Sequence, residues 1–140
     1  MNLPSDSTGE TIVGAGPSRV NVLARTAFVA VVCAASAGVH AALVPEHYAE
    51  GGVVLGGAFA LDALLLGTCA VVASRGRSWA LPVVVLLGTA LAYVLSRTTG
   101  IPGLIGAPEE PDALGLVTTV AEVVAAAVAA QLLHNREEDR

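Results

Sequence analysis

The stretch that decides the fold is residues 51–73, GGVVLGGAFALDALLLGTCAVVA. Its 23 residues carry one formal charge, Asp62. A helix needs roughly 20 mostly apolar residues to cross the hydrocarbon core of a bilayer, so this stretch is long enough to span. An acid in its interior costs about 2.5–3.5 kcal/mol on the insertion scale. Such a residue calls for a reason, structural or functional.

Working outward with charged residues as cut points gives three more segments of this kind. Residues 26–44 contain no formal charge with His40 counted neutral, and 79–96 contain none; residues 113–133 contain one, Glu122. The sequence therefore predicts an all-α, four-transmembrane-helix antiparallel bundle within 19–134, with helices at about 26–44, 51–73, 79–96 and 113–133. Residues 1–18 are polar and rich in Gly and Pro, the composition of a disordered segment. Residues 135–140 read as a short charged tail. Arg19 and Arg25 ahead of an apolar run also fit a secretory signal peptide. Against that, the run is longer than the usual 7–15 residues or so, and it follows a long polar leader.

Composition agrees with a lipid setting. Of the 140 residues 54% are hydrophobic and 14% charged, with mean hydropathy +0.71 and 15 Gly, whereas soluble domains carry about 25% charged residues. Net charge is −5 with seven Arg and no Lys, so nucleic acid is excluded as an expected partner. Cys33 and Cys69 both lie in apolar runs, which leaves no zinc pattern and no disulfide framework.

Arginines set the expected orientation. Arg19, Arg25, Arg75, Arg77, Arg136 and Arg140 fall on one side of the predicted spans and Arg97 alone on the other. Cytoplasmic loops carry the excess of Lys and Arg, so both termini are expected in the cytoplasm and the protein in the cell membrane. The opposite loops hold Glu46, Glu50, Glu109, Glu110 and Asp112.

At about 100° per residue, Ser36 shares a stripe with Cys33 and His40, and Thr89 shares one with Tyr93 and Ser96. Hydrocarbon offers such groups no partners, so the stripes should turn inward. His40, Asp62, Arg97 and Glu122 all fall toward the outer half of the bilayer. Together they predict a polar pocket for a proton, cation or small solute, with Arg97 or His40 pairing a carboxylate. Glu122 and Asp62 could instead be hydrogen-bonded acids that only fix helix register. His40, Glu46, His47 and Glu50 bring divalent-metal ligand types into one outer turn, although their spacing matches no established metal motif. Gly52, Gly56, Ala63 and Gly67 form a small-residue face, including one GxxxG, suited to close packing on another helix. That helix could belong to this chain, a second copy or a larger membrane complex.

No phosphate-binding glycine motif and no convincing Ser-His-Asp set is present. The expected activity is that of a non-enzymatic small subunit or accessory membrane protein. Transport or binding of a solute is the first alternative, and a membrane redox or metal protein the second. The outer turn with His40, Pro45, Glu46 and His47 is followed by Ser96, Arg97, Thr98, Gly100, Pro102 and Gly103, then by Pro111, Leu114, Gly115 and Glu122. This set resembles a group of small four-helix membrane proteins from actinobacteria, over about residues 34–133. The resemblance implies a topology and a shared motif set. In layout alone the chain is also similar to the DoxX-like membrane proteins.

Overall fold

A computed structural model describes residues 19–103 and 106–138. The segment 1–18 expected to be disordered lies outside them. The described residues form three helices: α1 (Arg19–Ser74), α2 (Ala80–Thr98) and α3 (Ala113–Glu138). All three are long and apolar enough to cross a membrane.

The expected four-helix bundle is thereby corrected to three helices. The segments 26–44 and 51–73, read as two spans joined by a loop at Pro45–Glu50, lie on one element, α1. Pro45 sits inside that helix. Proline removes one backbone donor and crowds the preceding turn, but neighbouring helices and side chains can satisfy the freed groups in a membrane helix. The departure from helical geometry comes instead at Gly52, with φ 65° and ψ −156°. Only glycine visits that region routinely.

The bend is sharp. At 1.5 Å per residue, His40 and Asp62 would stand roughly 33 Å apart on a straight helix. Instead, His40 Nε2 lies 3.1 Å from Asp62 Oδ2. Likewise the His47 and Phe59 rings stack with centroids 3.7 Å apart. Thus α1 doubles back at Gly52 into two arms, 19–51 and 53–74. A Cβ on Gly56 would stand 2.9 Å from Tyr48 Cα, so Gly56 is what lets the arms meet just beyond the bend.

The small-residue face is consequently divided. Gly52 makes the bend, Gly56 packs on Tyr48 of the same element, and nothing described lies within 4 Å of a Cβ built on Gly67. Ala63 borders a shallow apolar groove with Ala37, Ala41 and Ala60.

One cluster holds the opposite end together. Val29, Cys33, Leu66, Cys69, Ala73, Trp79, Leu86, Ala126 and Leu132 are buried against one another. Arg136 Nη1 donates to the carbonyl of Arg77 at 3.1 Å, which ties the end of α3 to the turn after α1. Helix α3 runs on to Glu138, so residues 135–138 of the expected tail are helical. Buried positions include Ser36, Thr89, Ser96 and Glu122, while Leu64 (70%), Val84 (69%) and Val117 (69%) are exposed. Polar inside and apolar outside is the arrangement lipid requires of a bundle.

Candidate functional site

At the end opposite the apolar cluster, the three helices border a half-open cavity of about 620 Å³. His40 and Asp62 reach it from the two arms of α1, Arg97 from the last turn of α2, and Glu122 from α3. All four expected pocket residues line this one space.

Their connections form a chain of polar contacts. The Ser36 hydroxyl donates to Glu122 Oε1 and lies 3.5 Å from His40 Nδ1. His40 Nδ1 is 2.9 Å from the Ser36 carbonyl. A carbonyl can only accept, so Nδ1 carries a proton and donates it. That assignment constrains Nε2, which faces Asp62 Oδ2 at 3.1 Å. Either an imidazolium meets a carboxylate, or a neutral ring accepts from a carboxylic acid. In both arrangements one proton lies between the two atoms, and its loss leaves two acceptors facing each other. On the far side of Asp62, the Thr89 hydroxyl lies 3.0 Å from Oδ1 and 3.0 Å from the Val85 carbonyl. Its single proton serves both.

Each member is held by an ordinary local device. Ser36 and His40 are one helical turn apart, so the Ser36 carbonyl and hydroxyl both lie beside the imidazole Nδ1. Glu122 is 1% exposed, and the small Ala125 and Ala126 on the next turn let α3 lie close to its neighbours.

Arg97 does not join this chain. Its guanidinium donates to Glu109 Oε2 at 2.6 Å and to Asp112 Oδ2 at 2.8 Å, and it lies over the Tyr93 ring at 5.0 Å. Asp112 also accepts from the Gly115 backbone N–H at 2.6 Å, the interaction of an N-cap residue. The arginine therefore fastens the end of α2 to the start of α3. Of the two basic residues expected to pair with an intramembrane acid, His40 does so and Arg97 pairs with the connecting loop.

The candidate metal ligands also border the cavity but do not converge. His47 Nδ1 donates to the Leu43 carbonyl at 3.0 Å and its ring lies on Phe59, while Glu46 and Glu50 are exposed. Among the described residues no three His, Cys, Asp or Glu side chains are grouped to hold a metal ion. Sequence reasoning missed Phe59, which carries no polar signal, and missed Glu109 and Asp112 as partners of Arg97. An isolated intramembrane-edge arginine followed by an acidic loop was the available clue to the latter.

Compared with protein-family models, curated proteins and solved structures, the chain matches none of them.

Proposed function

We propose that this chain is a multi-pass protein of the cytoplasmic membrane that binds and transports a proton and a small polar solute through the cavity. The observation that carries the reading is the meeting of His40, Asp62 and Glu122, from both arms of α1 and from α3, along one cavity wall. Ionisable residues inside membrane segments mark proton and ion pathways more often than they serve packing alone. The His40–Asp62 contact depends on one shared proton, so proton gain or loss there would be felt by whatever occupies the space beside it.

The arginine asymmetry supports an orientation. The end bearing Arg75, Arg77 and Arg136 faces the cytoplasm, with residues 19 and 138 on that side. The Arg97 end and the cavity then lie in the outer half of the bilayer. Membership in the actinobacterial group is proposed on the motif residues quoted above alone.

Reconstitution into liposomes holding a pH-sensitive dye tests the reading. An imposed pH gradient should collapse through the unaltered chain and persist with the Asp62→Asn/Glu122→Gln double variant. No flux from the unaltered chain, or equal flux from the variant, would overturn it.

A second reading, a small subunit of a larger membrane assembly, rests on the apolar groove bordered by Ala37, Ala41, Ala60 and Ala63. Its small side chains would admit a helix from a partner or a second copy. Mild-detergent purification from native membranes should then yield a defined complex or oligomer, and a strict monomer would count against it.

A further inference from the structure

We infer that the cavity's ligand is a compact organic cation, an ammonium group on a small apolar body. The inference rests on the binding reading above and adds the class of ligand to it.

Charge comes first. Seven of the side chains lining the cavity are carboxylic acids, against one arginine and two histidines. The arginine donates through its two terminal nitrogens to Glu109 and Asp112, and its Nε has no partner. His40 spends both ring nitrogens, on the Ser36 carbonyl and on Asp62. His47 has one nitrogen on Leu43 and its ring against Phe59. Three of the acids, Asp62, Glu109 and Asp112, pair with these basic groups, and four, Glu46, Glu50, Glu110 and Glu122, do not.

Glu122 supplies the anchor. It is 1% exposed, lines the cavity, and accepts from Ser36 at Oε1. Its second oxygen takes no hydrogen bond from any described residue. An ammonium N–H in the cavity would donate to that oxygen in a charge-assisted bond.

Size and wall chemistry separate an organic cation from an inorganic one. About 620 Å³ lies within the roughly 300–1,000 Å³ of small-molecule sites. A metal ion instead needs several donors converging on one point, and the described residues do not provide that set. Leu43, Leu55, Phe59, Ile101 and Leu114 also line the space, giving an apolar body something to pack on.

Three probes of nearly one shape and different charge test the class: benzylamine, benzyl alcohol and benzoate. Each is titrated calorimetrically into the full chain in nanodiscs near neutral pH, with empty nanodiscs subtracted. Benzylamine should bind, benzyl alcohol at least about tenfold more weakly, and benzoate most weakly. Glu122→Gln should weaken benzylamine by about tenfold and leave benzyl alcohol unchanged. The ranking on the unaltered chain stands by itself if that variant does not fold. Equal binding of all three, or tighter binding of benzoate or the alcohol, overturns the cation and leaves solute binding intact. Binding of none overturns the cation as well, and the liposome flux then decides the parent reading separately.

Discussion

Glu122 is the most demanding residue in the molecule, an acid 1% exposed among helices with exposed apolar faces. Its tie to Ser36 shows how the site keeps it there. Glu122→Ala removes the acceptor and leaves a buried hydroxyl unpaired, which should lower unfolding stability by about 1–3 kcal/mol. Glu122→Gln keeps a carbonyl oxygen for the same hydroxyl and should lose less. Denaturation of both variants in detergent checks the order, and equal losses would mean that the hydrogen bond to Ser36 contributes nothing. Much of this site was legible residue by residue. His40, Asp62 and Glu122 stood out because ionisable groups are expensive in apolar runs, and helical spacing put Ser36 on the stripe of His40. The pairing was not legible: which base meets which acid depends on where the chain turns, and no local spacing encodes that.

At the scale of the element, the bend in α1 is set by a single backbone position. Gly52 combines φ 65° with ψ −156°, a conformation that side chains strain by about 1–3 kcal/mol. Gly52→Ala should therefore lower the melting temperature clearly, whereas Pro45→Ala should leave it nearly unchanged or raise it, since the helix already runs through Pro45. A larger loss from Pro45→Ala would move the turn back to the proline. The sequence reading placed the break at residues 45–50 because Glu46 and Glu50 interrupt the uncharged run there, and it counted Gly51 and Gly52 as helix. In a bundle the proline is accommodated and the glycine turns the chain. The apolar stretches 79–96 and 113–133 were legible as helices because their length and lack of charge leave little alternative. Their ends were less so, since α3 continues through charged residues to Glu138, where His134 Nε2 lies 3.3 Å from Glu138 Oε1 one turn on.

Across the whole molecule, Glu122, Ser36 and Thr89 are buried beside an apolar cluster while many valines and leucines face outward. The arginine-poor end holds the cavity, and the proposed orientation turns it outward. Single cysteines test this cleanly, because Cys33 and Cys69 are fully buried and should stay silent. A membrane-impermeant maleimide should label Glu110→Cys on intact cells and Ser78→Cys only after permeabilisation. The reverse pattern would invert the topology. What joins the scales is that Asp62 and Glu122, distant in sequence, belong to one hydrogen-bonded unit through His40 and Ser36. Infrared difference spectra between about pH 5 and about pH 8, the range in which histidine changes charge, read that unit directly. Carboxyl bands assigned to Glu122 by their loss in Glu122→Gln should shift when Asp62→Asn or His40→Gln is introduced. A Glu122 band that is identical in those variants and in the unaltered chain would contradict a shared site.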